Sequence, residues 1–558
     1  MTRRERLQFF FTWLFLGLVP LFLRPLWEPD EARYSEIPRE MLALGDWLTP
    51  RLNYVLYFEK PPLQYWFSAA SMKLFGINAV APRLPLALAT LITMGAAFML
   101  ARRLGARRPV WAAFMAASSI LGFVCGQILT LDALFSAFLV ASFVLAVEAV
   151  AARYDERSSL EWSLGAFLAV ALALLTKGLA APVLLGGIIL ASIPFAWSDG
   201  KLRRAVLGTL FDPLGWLVFL AVSAPWFWFV EKANPGHAQF FFIHEHFARF
   251  TSNVHARQGA NNPVFDKLYF VGILLVGLLP WLSSTLFGLK RGWTFIRRRK
   301  GPQAEGAALH RWIVAVTLLA FAVPLAFFSV SGSKLPPYIL PALVPLLALA
   351  CAMEREDEEP AALRRHGAEL LFLGVLFAFV APFLLKTPVG LSWVLAVGAG
   401  FLLLGFWTLR PKGLTAGRWM AGIIAVLLLL SLAAKQTVEK DKSSAPLIAR
   451  VPADAQWISV GYYFQNIPYS TGRRVIIMGG TGELAFGKER LSPAERDRWF
   501  RENLHDLLPV AQDLRRSEPS RPVWALIDSD AWPKLRPEER GAWEVIDRSR
   551  AAYLVRFR

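Results

Sequence analysis

Cysteine is almost missing from this chain: Cys125 and Cys351 are the two in 558 residues. Both lie in apolar runs far apart, which excludes a disulfide framework and leaves two buried thiols. The C-terminal part holds no phosphate-binding glycine motif. Gly479-Gly480-Thr481-Gly482 is a lone cluster that reads as a turn. No internal repeat or low-complexity segment stands out. Acidic residues are short against basic ones, 42 to 60, for a net charge of +18. That excess can mean nucleic acid or cationic loops facing anionic lipid, and the apolar content favours the loops. MTRRER precedes a long apolar run with no small-residue cleavage site, so the first run is expected to stay as a span.

Apolar residues are what the chain has in plenty, at 55%. Several runs reach the roughly 18 residues needed to cross about 30 Å of hydrocarbon. Thirteen candidate spans fall near 8–26, 83–103, 109–126, 129–150, 161–177, 181–197, 212–230, 268–289, 311–330, 337–353, 367–385, 390–409 and 418–435. With a cytoplasmic N-terminus, the seven loops on that side all carry Lys or Arg, from RRER through ARRLGARRP to RPKGLTAGR. The short loops opposite offer only Lys177, Lys334 and Lys386. This is the positive-inside pattern, and it places the C-terminus outside. The expected fold class is a polytopic α-helical membrane protein of about thirteen spans over 1–435. Its long outer loops are 27–82 and 231–267. Residues 436–558 form a soluble outer α/β or α+β domain.

The first outer loop concentrates chemistry. Trp27 to Trp66 holds Asp30, Glu31, Arg33, Tyr34, Tyr54, Tyr57, Glu59 and Lys60. Tyr34, Ile37, Met41 and Leu44 have helical spacing over 31–44. A second helix opens at Pro61-Pro62, sets Leu63, Trp66, Phe67, Ala70 and Leu74 on one face, and ends at Gly76. Both helices suit the interface plane, apolar face down; the alternative is a packed soluble cap. In the tail, 457–460, 474–478, 522–527 and 551–557 read as strands. Residues 492–507 read as a helix with Ser492 as N-cap and Glu495 at the capping-box position.

Ionisable groups at membrane depth are costly, about 2.5–3.5 kcal/mol on insertion scales. Asp30, after the first span, is either a helix cap or a catalytic carboxylate. Asp132, in ILTLDALFSAF, is a second carboxylate in an apolar setting. Lys60 stands at a helix start, where it either joins an anion site or snorkels to headgroups. Lys60, Lys177 and Lys334 lie where the charge rule disfavours lysine, and convergence on one lipid phosphate would explain all three. Tyr338 sits beside Lys334. Residues 231–267 carry four of the seven histidines, with Arg249 flanked by aromatics. His244-Glu245-His246 with Glu59 offers a zinc site; the alternative is a polar loop touching headgroups.

EPDEARY at 28–34, FEKPPLQYW at 58–66, LDA at 131–133, LLTKG at 174–178, HFARF at 246–250 and SKLPPYILP at 333–341 resemble the lipid A 4-amino-4-deoxy-L-arabinose transferases. That family groups with the protein O-mannosyltransferase relatives of the GT-C glycosyltransferases. The resemblance implies a bacterial inner-membrane enzyme with a periplasmic site. It would take aminoarabinose from undecaprenyl phosphate, place it on a lipid A phosphate and so weaken binding of cationic peptides such as polymyxin. A lipid-phosphate donor requires no nucleotide site and no cofactor. The resemblance makes Asp30 the catalytic carboxylate acting on the acceptor, with Asp132 holding the sugar amine or assisting. It makes Lys60, Arg249, Lys177 and Lys334 partners of the leaving phosphate, with Arg33, Tyr34, Tyr57 and Tyr338 around the carrier. A sister enzyme moving mannose or another sugar to protein is the nearest alternative. A flippase for lipid-linked sugar is a more distant one, because charges gather at one face and no halves repeat.

Overall fold

Hydrocarbon offers no partner to a backbone N–H or C=O, so long apolar runs must satisfy their own as helices. The computed structural model describes residues 1–248, 263–297, 306–355, 358–380, 391–410, 414–480 and 482–558, with backbone alone at 246–248, 263–265 and 359. The chain divides into two units. The first comprises Met1–Leu21, Glu59–Gln64 and Arg83–Leu430; the second comprises Phe22–Phe58, Tyr65–Pro82 and Ser431–Arg558.

Among the described residues nine helices are long and apolar enough to cross a membrane. They are Arg3–Phe22, Ala81–Arg103, Leu131–Tyr154, Leu160–Lys177, Gly200–Ala233, Ala307–Val330, Pro336–Met353, Leu391–Leu409 and Ala416–Lys442. A tenth forms if Asp266–Gly277 and Leu282–Arg297, bent by 117°, count as one. Ala180–Ala196 is apolar but shorter. The run at 109–126 is broken into Val110–Ser118 and Ile120–Cys125 by Ser119, whose hydroxyl accepts from Gly122 N and caps the second piece.

Small residues bring the first unit's helices together where hydrophobicity alone cannot. A Cβ on Gly405, in Leu391–Leu409, would stand 2.8 Å from Gly367 O and 2.9 Å from Leu371 N on Glu359–Val375. Ion pairs tie helix ends: Arg103 to Glu148, Arg153 to Asp212, and Arg291 to Glu358. Asp212 also accepts from Leu214 N and Gly215 N, capping Pro213–Ala233, the second segment of the Gly200–Ala233 span.

The second unit joins the first loop to the tail. Its six-stranded mixed sheet has the order β5-β4-β3-β6-β8-β7. Here β1 is Arg51–Leu52 and β2 Val55–Leu56, a separate hairpin. The sheet strands are β3 Gln456–Val460, β4 Ile476–Met478, β5 Phe500–Arg501, β6 Val523–Asp528, β7 Trp543–Arg548 and β8 Ala552–Phe557. Strands β3 to β6 pair in parallel, while β8 runs antiparallel to β6 and β7. Gly479 and Gly480 take φ of 69° and 68°, the turn expected of them.

Two expectations change. The helix over 492–507 stops at Trp499: Ser492 caps it as expected, but buried Phe500 pairs with Ile477 at the sheet edge, and sheet pairing overrides the helical pattern. The helix Asp30–Leu44 does not lie in an interface with its charges in water. Glu31, Arg33, Glu36, Arg39 and Glu40 are all buried. Glu31 pairs with Arg24, Glu36 with Arg39 at 2.6 Å, and Glu40 accepts from Tyr54 N at 2.9 Å. Glu28 accepts from Ser444 N and Asn466 N at 3.0 and 2.9 Å. Asn53, at φ 52° in the hairpin turn, exchanges two 3.0 Å bonds with the Val475 backbone. The helix is thus the inner face of the second unit. The helix Leu63–Phe75 differs: Leu63, Tyr65, Ser68 and Met72 are buried, while Ala70, Leu74 and Phe75 are exposed.

Gly405→Ala is expected to destabilise by about 1–3 kcal/mol because the added carbon meets backbone. Gly186→Ala, with no atom within 4 Å of its Cβ, is the control. Equal melting temperatures in detergent would refute the close packing. Burial, with the negative charge of Glu36, holds Glu40 well above its ordinary 4.5. A raised folded value stabilises below 4.5, and the contribution is lost as pH rises. Glu40→Gln keeps an acceptor for Tyr54 N, so its stability relative to the parent should grow from pH 5 to pH 8. A difference independent of pH would remove this account.

Candidate active site

Asp132 lies in the first turn of Leu131–Tyr154 but does not cap it; Thr130 holds the cap position. Its carboxylate binds the ammonium of Lys177. Lys177 ends Leu160–Lys177, where Gly178, at φ 96°, turns the chain away. The ammonium stands 3.8 Å from the ring centroid of Tyr338 and 5.5 Å from that of Phe135, one turn along from Asp132. Asp132, Lys177 and Tyr338, from three separate helices, thus meet in one cluster. A cation over an aromatic face gains about 0.5–2 kcal/mol. Removing one partner of a buried pair costs about 3–5 kcal/mol, because the other charge is stranded.

The other two lysines expected at the outer side have partners of their own. Lys334 is 1% exposed and donates to both Asp266 oxygens at 2.8 Å and to Ser331 O at 2.7 Å. Those three bonds use all its donors. Lys60 donates to Glu245 at 3.0 Å and to Glu59 O at 2.7 Å. Three lysines therefore hold three carboxylates, where one shared phosphate was expected. Asp266 and Glu245 went unassigned in the sequence. Asp266 was traceable, as an acid two residues before the candidate span 268–289; Glu245 was masked by the histidines beside it.

The histidines divide. His237 is buried against Trp226 and Phe241, at 5.2 and 5.7 Å between ring centroids, and burial pushes its pKa down to about 4. It is a neutral core residue. His244 is exposed and stacks on Phe240 at 5.3 Å. The His246 side chain and Arg249 lie outside the described residues. Among the described residues no three His, Cys, Asp or Glu side chains gather as metal ligands. Glu59 contributes its carbonyl to Lys60.

In the second unit, Glu28-Pro29-Asp30-Glu31 sorts its three carboxylates. Glu28 and Glu31 are buried and bonded inside the fold. Asp30 is the open one, its side chain 51% exposed and 3.4 Å from Arg33. Pro29 holds the cap position, so Asp30 is no cap. Arg33 is buried and ion-pairs with Glu483, Nε standing 2.9 Å from its carboxylate. Its guanidinium also stands 5.6 Å from the Tyr34 ring, which stacks on Tyr65 at 6.1 Å. Tyr57 is buried. Glu483, within a glycine-flanked turn of the tail, gave no signal in the sequence.

Residues 59–229 match the family model described as dolichyl-phosphate-mannose-protein mannosyltransferase. An undecaprenyl phosphate-α-4-amino-4-deoxy-L-arabinose arabinosyl transferase of Edwardsiella ictaluri is 33% identical over 456 residues, 77% of each chain. A second such transferase, from Proteus mirabilis, is 33% identical over 405 residues, 68% of this chain and 67% of that one. Among solved structures, ArnT from Cupriavidus metallidurans bound to undecaprenyl phosphate has the same fold. Its TM-score is 0.76 at 24% identity, over 100% of this chain and 98% of that one. With relatives this similar over this much of its length, the chain belongs to the undecaprenyl phosphate-aminoarabinose arabinosyl transferase family, and it has the multi-pass fold of a GT-C membrane glycosyltransferase.

Proposed function

We propose that the chain transfers 4-amino-4-deoxy-L-arabinose from undecaprenyl phosphate to a phosphate of lipid A, at the periplasmic face of the bacterial inner membrane. The observation that carries this reading is the Asp132–Lys177 pair set over the Tyr338 ring. A donor that joins an ammonium-bearing sugar to a phosphate carries the complementary charges. On binding, Asp132 takes the sugar ammonium and Lys177 turns to the phosphate, so neither buried charge loses a partner. Tyr338 is assigned to the carrier in the first unit, and Tyr34 and Tyr57 are carrier contacts assigned within the second.

An oxygen of the ionised acceptor phosphate attacks the anomeric carbon. The bond from that carbon to the donor phosphate oxygen breaks, and its electron pair leaves with undecaprenyl phosphate. Direct displacement inverts the configuration. No proton has to be removed, so orientation and desolvation carry much of the acceleration. Asp30 orients the acceptor, helped by Arg33. Lys60, Lys177 and Arg249 take up charge on the leaving phosphate. Lys334, saturated by Asp266 and Ser331, is assigned to holding its own loop. Glu59, His244 and His246 are donors of the type zinc takes, but no step passes through a metal. Zinc analysis of the purified chain decides that separate point.

We place the N-terminus in the cytoplasm, residues 436–558 in the periplasm, and thirteen spans between. The first unit's ion pairs support this: Arg103–Glu148, Arg153–Asp212 and Arg291–Glu358 stand at helix ends of the basic face, while Lys177–Asp132, Lys334–Asp266 and Lys60–Glu245 join outer segments. The mannosyltransferase match over 59–229 favours a second reading, transfer to protein.

Mass spectrometry of lipid A from cells with and without the chain should show an added aminopentose only with it. Label on protein and none on lipid A would select the second reading. Asp132→Asn takes a charged partner from the sugar amine, worth about 1.5–3 kcal/mol, and should raise the donor KM roughly tenfold to a hundredfold. Asp30→Asn should lower kcat by about 10²–10⁴-fold with the donor KM little changed. Normal turnover in either variant, with the protein folded, removes that residue from the site.

A further inference from the structure

Lys334 is a buried cation that the transfer step leaves unused. Its ammonium spends every donor within the first unit, on both oxygens of Asp266 and on Ser331 O. It cannot turn to a ligand without giving up those bonds. Four residues on, Tyr338 carries the ring on which the Lys177 ammonium rests. Pro336 and Pro337 stand between the two. Each proline fixes its own φ at about −65°. Leu335, ahead of them, is held extended at φ −131° and ψ 146°, as a residue before proline is. Tyr338 N then donates to Leu335 O at 3.0 Å, within the first turn of the short helix Pro336–Ala342. The link from Lys334 to Tyr338 is therefore stiff, and what fixes the lysine fixes the ring.

Asp266 brings a second hold with it. It lies on the helix Pro263–Gly277, one turn before Phe270. Phe270 packs on Phe328 at 6.2 Å between ring centroids, and Phe328 on Tyr338 at 5.5 Å. One helix thus reaches Tyr338 twice, by charge through Lys334 and by aromatic contact through Phe328. We infer that Lys334 is a positioning residue: with Asp266 it sets the Tyr338 ring where the Lys177 ammonium stays covered as it passes from Asp132 to the donor phosphate. The inference rests on the transfer reading above. A ring displaced by about 1 Å takes that cover away, and a misplacement of this size costs up to about a hundredfold in rate.

Steady-state turnover by the full chain in detergent, with the aminoarabinose donor and lipid A supplied, tests it. Lys334→Met and Asp266→Asn should each lower kcat about tenfold to a hundredfold, with the donor KM little changed. In a Tyr338→Leu background neither should lower kcat further. Lys334→Met/Asp266→Leu removes both charges together and guards against misfolding. It should melt near the parent and still show the loss of kcat. Lys201→Met, whose pair with Glu156 is exposed, is the control and should turn over normally. A tie that only holds the fold would lower the melting temperature and leave kcat per folded molecule unchanged, which overturns the inference. A donor KM raised by Lys334→Met but not by Asp266→Asn would make Lys334 a phosphate ligand and overturn it as well. Losses additive with Tyr338→Leu would overturn it and leave the transfer reading standing. Normal kcat in Tyr338→Leu would take Tyr338 out of the site, and the inference with it.

Discussion

A charge that leaves water must take a counter-charge with it, and the first unit is arranged around that requirement. Its long helix Leu131–Tyr154 carries Asp132 near one end and Glu148 near the other. Each binds a cation from a neighbouring helix, Lys177 and Arg103. The helix is thereby tied to its neighbours at two points sixteen residues, or about 24 Å, apart. Between those points it is almost wholly apolar and buried. The pairs fix where polar chemistry can occur, and the glycine-lined helix contacts fix how closely the spans approach.

The second unit obeys the same rule in a different solvent. Asp30–Leu44 looks amphipathic in sequence, with acids and bases where water would be expected. Its charges instead point into protein. Arg24, Arg39 and Arg33 answer Glu31, Glu36 and Glu483, and Glu40 binds the hairpin backbone. The helix holds the tail through Glu28, whose carboxylate accepts from two backbone N–H groups more than 400 residues along the chain. What that leaves open is Asp30. Of the four acids on that helix it alone is exposed, which is why the acceptor role is proposed for it.

The sequence discloses elements well and partners poorly, for a physical reason. Nine of the thirteen expected spans, the Ser492 cap and four tail strands follow from period and length, which are local. Phe500 escapes because sheet pairing with Ile477 is not local. β7 escapes because its alternation is weak and mostly exposed. Lysines at the outer ends were conspicuous because the charge rule makes them unusual there. Their carboxylates were not: an acid near a helix start, as Asp266 is, has ordinary reasons to be present, and Glu245 stands between two histidines. Glu483 pairs with Arg33 across 450 residues of chain, and no spacing rule reaches that far.

The choice of cation at the two ends separates holding from handling. At the basic face the ties are arginines: Arg103 meets Glu148 with two nitrogens, and Arg291 meets Glu358 the same way. A planar fork locked on a carboxylate fixes direction as well as distance, which suits a permanent joint. Around Asp132, Asp266 and Glu245 the cations are lysines. Lys334 is the saturated one, with three acceptors on three donors. Lys177 commits one hydrogen bond to Asp132 and otherwise rests on an aromatic face, an attraction with little directional demand. An ammonium held in that way can rotate from a carboxylate to an incoming phosphate without uncovering a buried charge. Arginine at 177 would grip Asp132 in two places and resist that exchange; a neutral residue would strand Asp132. The lysine is therefore the residue that the proposed transfer needs at that position, and the reason lies in how loosely its charge is held.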